Sequence, residues 1–190
     1  MIVKVPDLVL TTPAKNVGKI DKKILDIVDR MKKTLVGTRH PKGVGLAAPQ
    51  IGIGLKIFIT RPTKNDPIGV FLNPEITYRS LELAEISRID TDKKSKANEK
   101  KLEGCLSIPN VWGYLKRPKV VKLRFTNLKG ESEERQYSDF LSTIVQHETD
   151  HLQGILFTQR VLEQNQKFYR IEKNNQGEEK TTKAKKNSSK

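Results

Sequence analysis

The sequence predicts an α+β fold in which mainly antiparallel sheets pack around a central helix carrying the pattern H-E-x-x-H. Three observations lead there. Short runs alternating apolar and polar residues, such as 55–60 and 118–126, cluster ahead of the helix. Asn127-Leu128-Lys129-Gly130 joins the second run to a polar return run at 133–137, the pattern of a hairpin. Strands and helices do not alternate regularly, so nothing calls for a parallel sheet.

In chain order, residues 7–20 read as an extended lead-in, because Thr11-Thr12-Pro13 opposes a helix. Asp21 opens a helical pattern in which Ile24, Leu25, Ile27, Val28, Met31 and Leu35 recur at three- and four-residue steps, ending near Gly37. The segment 38–42 is a polar loop, and His40 within it is read as solvated. Residues 43–52 (Gly-Val-Gly-Leu-Ala-Ala-Pro-Gln-Ile-Gly) form a compact loop that another backbone or a ligand can approach closely. Their glycine spacing is not that of a nucleotide-binding loop. Val70-Phe71-Leu72 reads as a short strand before Asn73-Pro74, and 88–101 as a lysine-rich surface excursion.

The helix at the centre takes Ser138 or Asp139 as its N-cap, buries a stripe of Phe140, Leu141, Ile144, Val145 and Leu152, and stops at Gly154. After Ile155-Leu156-Phe157, a weaker helical pattern runs through Val161, Leu162, Phe168 and Tyr169. Residues 1–172 are expected to form one catalytic domain. Residues 173–190 hold six lysines against two glutamates and almost nothing to bury, so a disordered tail is expected there.

The 190 residues suffice for one domain with a proper core. A net charge of +14 argues for attraction to polyanions and says nothing of fold. One cysteine excludes an internal disulfide framework and fits a reducing compartment. The first residues do not resemble a leader peptide, and no stretch approaches the ~18 apolar residues of a membrane span, so a cytoplasmic protein is expected.

The chemistry gathers in Gln146-His147-Glu148-Thr149-Asp150-His151-Leu152. Residues four apart share one helix face, with Cβ atoms about 5–6 Å apart, so His147 and His151 can reach one metal ion together. Glu148 beside them can take a proton from a water on that ion. Two histidines do not complete a zinc-like site, which usually has three protein ligands. His40, Glu163 and Cys105 are the candidates. His40 has a poor setting, whereas Cys105 follows a glycine that lets the chain turn at the sulfur, and a thiolate suits such an ion.

Three blocks together resemble the peptide deformylase family: residues 43–50, Glu103-Gly104-Cys105-Leu106-Ser107, and the helical segment from Gln146 to Leu152. They stand in the family's order, and the likeness runs from about Val5 to Phe157. The resemblance implies a hydrolase that removes the N-formyl group from the initiator methionine of nascent polypeptides, releasing formate by attack of a metal-bound water. Cys105, His147 and His151 would hold one divalent ion, Fe(II) in the cell, with zinc, nickel or cobalt able to replace it. Glu148 would move the proton. The Gln50 side chain and the Leu106 N–H would stabilise the oxyanion. Gly45 would offer its carbonyl to the substrate, and Val44 and Ile144 would line the methionine pocket. Glu103 and Arg117 could pair to brace the cysteine loop. The lysine-rich tail could meet ribosomal phosphate. Ser142-Thr143 stands where many members carry Ala-Arg, and Trp112 falls at the mouth of the site.

Two other readings use fewer of these residues. A peptidase sharing only H-E-x-x-H would leave Cys105 and Gln50 without a role. A basic nucleic-acid reader would need a base-reading helix or an aromatic-studded sheet, and neither pattern occurs.

Overall fold

The computed structural model describes residues 1–39, 42–86, 102–173 and 179–183. His40 and the lysine-rich stretch at 88–101 lie outside these residues. Helix α1 spans Lys22–Gly37, where Asp21 caps it by accepting the Ile24 N–H at 3.1 Å. Strand β1 (Gly45–Ala47) runs into a 3-10 turn at Ala48–Ile51, and β2 (Ile57–Thr60) and β3 (Gly69–Arg79) follow. Next come β4 (Leu83–Ala84), β5 (Glu103–Cys105), β6 (Ile108–Gly113), β7 (Arg117–Pro118), β8 (Val120–Thr126) and β9 (Ser132–Ser138). Helix α2 is Asp139–Leu152 and α3 is Phe157–Glu163; β10 (Phe168–Lys173) and β11 (Glu179–Lys183) follow.

Three sheets form among the described residues, in the orders β1-β2-β3-β8-β9, β11-β10-β6-β5 and β4-β7, and every ladder is antiparallel. The five-stranded sheet is apolar on both faces because period-two alternation serves two layers at once. Leu46, Ile57, Ile59 and Leu72 face Ile24, Val28, Met31 and Leu35 of α1. Their neighbours Ala47, Phe58 and Phe71 face the other way, with Val121, Leu123 and Phe125, onto Val145 and Leu152 of α2. A third cluster joins Cys105, Ile108 and Leu115 to Phe157 and Val161 of α3.

Several elements differ from the sequence reading, each for a local reason. Strand β3 does not stop at Asn73-Pro74 but passes through it as a bulge, with the register shifting between Leu72 and Glu75. Asn73 adopts φ 49 there, and its side chain pairs with both backbone groups of Val17, at 2.7 and 2.8 Å. A bulge is one place within a sheet that tolerates proline. The helical pattern expected through Phe168 and Tyr169 ends at Glu163; those residues extend the second sheet, pairing with Gly113 and Trp112 of β6. Within the segment expected to be disordered, Glu179–Lys183 pairs backbone to backbone with β10. Strands β5 and β6 had no alternating signal. No helix of the described residues is long and apolar enough to cross a membrane.

Helix α2 ends as expected. Gly154 adopts φ +72, and an added Cβ would sit 2.6 Å from the Thr11 carbonyl oxygen. Glycine meets both demands. Gly154→Ala is expected to destabilise the protein by roughly 1–3 kcal/mol, read from the urea midpoint; an unchanged midpoint would show that the lead-in moves aside freely.

Candidate metal centre

Helical periodicity and one hairpin bring three donors together. Cys105 ends β5, while His147 and His151 lie one turn apart on α2, their ring centroids 4.9 Å apart and near perpendicular. One ligand atom from each of the three lies within 4.8 Å of the others, and Cys105 Sγ stands 3.1 Å from His151 Nε2. Cys105 is 6% exposed and His151 1%. Burial alone would raise the Cys105 thiol, but His151 and His147 beside it outweigh that and bring it down to about 5. Its sulfur also accepts the Ser107 N–H and the Gln50 side-chain N–H, each at 3.4 Å. A thiolate so surrounded, beside two imidazoles, is a donor set that suits a borderline-soft divalent cation.

The partners of His147 fix which nitrogen faces inward. Its Nδ1 meets Glu103 Oε1 at 2.6 Å, which leaves Nε2 for an ion. Glu103 is gripped in turn by Arg117 through two bonds of 2.9 and 2.7 Å. Arg117 also reaches Asp150 at 2.9 Å, and Arg160 closes on Asp150 at 2.8 Å. Burial opposes ionisation of Glu103, yet Arg117 and His147 hold its carboxyl well below the usual carboxylate range. Burial likewise opposes a charge on His147, and Glu103 and Cys105 raise it well above its ordinary value. The Glu103–Arg117 pair read from the sequence is thus present as one link of a longer chain. Asp150 and Arg160 were missed. Asp150 lies inside the motif as one of its variable positions, and Arg160 becomes its neighbour only when α3 folds back.

Glu148 is buried and its Oε2 has no hydrogen-bond partner among the described residues. Burial pushes its carboxyl up to about 7, although His147 and His151 pull the other way. It packs on β1 so closely that a Cβ at Gly45 would stand 2.8 Å from its Cδ, so a side chain there would push the carboxylate aside. The Gln50 amide has a defined orientation. Its Oε1 accepts the Ala47 N–H at 2.8 Å, which turns Nε2 towards Cys105 and the Ser107 hydroxyl.

These groups line a cleft of about 950 Å³ that also takes in Val44, Leu106, Trp112 and Ile144. Val44, Gly45, Gln50, Glu103, Cys105, Leu106, Ile144, His147 and Glu148 line this cleft, and His151 lies against Cys105 and His147; Glu163 instead pairs with Arg160 at 2.9 Å, and His40 is outside the described residues. Trp112 lines the cleft and also covers Gly104, where a side chain would collide with its ring. Ser142, at the departure from the family pattern, ties α2 to β7 by donating to the Pro118 carbonyl at 2.9 Å. Gln146 donates to the same carbonyl at 2.9 Å.

The profile of one family, polypeptide deformylase, matches residues 1–167. The chain belongs to the polypeptide deformylase family. A peptide deformylase of Pseudothermotoga lettingae is 40% identical over 151 residues, 80% of this chain and 76% of that protein. The crystal structure of the peptide deformylase from Thermotoga maritima superposes with a TM-score of 0.71 at 32% identity, covering 85% of this chain and 96% of that one. The Met-Ala-Ser-bound class I type b peptide deformylase from Acinetobacter baumannii gives 0.71 at 31% identity, covering 85% and 97%. Peptide deformylases are metal-dependent enzymes that remove the formyl group from nascent polypeptides. Cys105, His147 and His151 form a candidate metal site for that chemistry.

Two outcomes test this geometry. Arg117→Met leaves the Glu103 and Asp150 carboxylates buried without their shared cation, and should lower stability by about 3–5 kcal/mol in urea unfolding; a loss under about 1 kcal/mol would mean that water reaches the pair. The second concerns pH in the metal-free protein. A carboxyl raised to about 7 favours the folded state while protonated, and that contribution is lost as pH rises from its ordinary value through about 7. Glu148→Gln should therefore match the wild type near pH 5 and exceed it by on the order of 3 kcal/mol near pH 8. A stability difference that stays the same at both pH values would place Glu148 in water.

Proposed function

We propose that Cys105, His147 and His151 hold one divalent ion, Fe(II) in the cell with zinc, nickel or cobalt able to replace it, and that Glu148 moves the proton in formyl hydrolysis. In this reading α2 is the central helix of the fold. The observation that carries it is the meeting of a buried thiolate, the buried imidazole of His151 and the half-buried imidazole of His147 beside a buried carboxyl whose Oε2 has no partner among the described residues. When bound, the ion acidifies a water and polarises the formyl oxygen.

The rest is the work of this chain's own residues. Glu148, poised near neutrality by burial, accepts a proton from the attacking water and returns it to the leaving amine. The Gln50 Nε2 and the Leu106 N–H stabilise charge on the formyl oxygen, a contribution worth about 10²–10³ in rate per donor in comparable sites. Gln50 suits this because it is neutral and its own oxygen is already occupied by Ala47. Strand β1 is an edge strand of its sheet, so an extended peptide can pair along it through the Gly45 carbonyl. Val44 and Ile144 in the cleft wall offer apolar surface to the methionine side chain.

The substrate is a nascent chain, which gives the lysine-rich end a use. We take residues 1–172 as the catalytic unit of a cytoplasmic enzyme. The remainder, with Lys173, Lys180, Lys183, Lys185, Lys186 and Lys190, would meet ribosomal phosphate in a salt-sensitive, sequence-independent way.

Cys105→Ser should lose most bound metal and activity, since oxygen is a poorer partner than thiolate for such an ion, whereas Glu148→Ala should keep the metal and lose turnover. Metal analysis with a formate-release assay on a formyl-Met peptide separates them; equal metal in Cys105→Ser and wild type would remove Cys105 from the site. Truncation after Glu172 should leave formate release unchanged and reduce co-sedimentation with ribosomes at low salt. Undiminished co-sedimentation would clear the tail of that role.

A further inference from the structure

The first five residues belong to no strand or helix, yet they join two loops of the site. The Val3 N–H donates to the Gln50 backbone carbonyl at 2.8 Å, and the Val5 N–H donates to the Ser107 backbone carbonyl at 3.1 Å. Both bonds are made by the backbone, and the Val5 side chain is 38% exposed, so packing of that side chain is not its main purpose. The loops lie on different supports. Gln50 sits in the turn after β1, at one edge of the five-stranded sheet, and Ser107 follows β5, at the edge of the four-stranded sheet. Between the two ties, Gln50 Nε2 reaches Cys105 Sγ at 3.4 Å, a contact to a weak acceptor, and Ser107 Oγ at 3.4 Å, long for an N–H···O bond. The far side of the turn is held separately, by Arg30 of α1 donating to the Ile51 carbonyl at 2.6 Å.

We propose that residues 1–5 are a positioning strap, whose Val3 and Val5 N–H groups hold the Gln50 amide and the Leu106 N–H in register with each other for oxyanion stabilisation. The proposal rests on the reading of those two groups as oxyanion donors. Donors of this kind work only when preorganised at hydrogen-bond distance from the developing charge. A misplacement of about 1 Å can lower the rate about 10²-fold. Gln50 and Leu106 come from the edges of two sheets; the Leu106 side chain packs on the core that also holds Ala48 and Ile51, and the Val3 and Val5 bonds add direct backbone ties to the two loops themselves.

The test is a double-mutant cycle on the metal-loaded, full-length enzyme with a formyl-Met peptide. Val3→Pro removes the N–H, and Val3→Ala keeps it. Val3→Pro should lower kcat about 10-fold, with KM and metal content near those of the wild type, while Val3→Ala should keep the wild-type kcat. In the Gln50→Ala background, Val3→Pro should change kcat by less than about 2-fold, because the group it positions is gone. An equal loss from Val3→Pro in both backgrounds, or none in either, overturns the strap. Should Val3→Pro not fold, amide exchange on the wild-type protein decides: protected Val3 and Val5 amides support the strap, and exchange at the rate of an unstructured peptide overturns it. Full activity in Gln50→Ala would instead overturn the reading of Gln50, and the strap with it.

Discussion

The Glu103 carboxylate is the contact on which the rest of the site depends. It lies at the start of β5, is buried, and touches Arg117 of β7 and His147 of α2. Three segments far apart in sequence meet at one carboxylate. A charge this deeply buried persists only if it is fully paired, and Arg117 supplies the pairing with two parallel bonds. The same arginine holds Asp150, and Arg160 holds Asp150 from the other side. Alternating charges therefore lead from His147 out to α3, each neutralising its neighbours.

That chain explains how a three-residue strand in an irregular hairpin can position Cys105. Strand β5 has three residues and its pairing with β6 slips between Gly104 and Cys105. Its ladder alone fixes Cys105 weakly. Glu103 anchors the strand to α2, Trp112 covers Gly104, and the sulfur is left facing His151. On the other side of the cleft the constraint is steric. Strand β1 and Glu148 approach so closely that a side chain at position 45 would displace the carboxylate.

Much of this was legible in the sequence, and the parts that were not share a cause. Helix α1, the hairpin of β8 and β9, and α2 with its glycine stop follow from local periodicity and capping, and the structure has them where the pattern put them. The candidate metal donors His147 and His151 were legible because i and i+4 define a helix face without any tertiary knowledge, and Cys105 followed from the need for a third ligand together with the family's order of blocks. Asp150, Arg160 and the ties from Val3 and Val5 were not. Asp150 and Arg160 are ten residues apart on different helices, and the Val3 and Val5 bonds use backbone groups that carry no side-chain signature. Phe168 and Tyr169 fitted a helical period but had a strand edge to complete, so tertiary pairing overrode the local pattern.

In the proposed function, one ion is bound by Cys105, His147 and His151 together. Titrating metal-free protein with Co(II) under anaerobic conditions tests it directly, because the optical spectrum reports ligand type and geometry at once. The expected result is one cobalt per chain, a thiolate-to-metal charge-transfer band that is absent from Cys105→Ala, and the intense visible bands of a four-coordinate ion. Stoichiometric binding without the charge-transfer band, or with a band that survives Cys105→Ala, would contradict it.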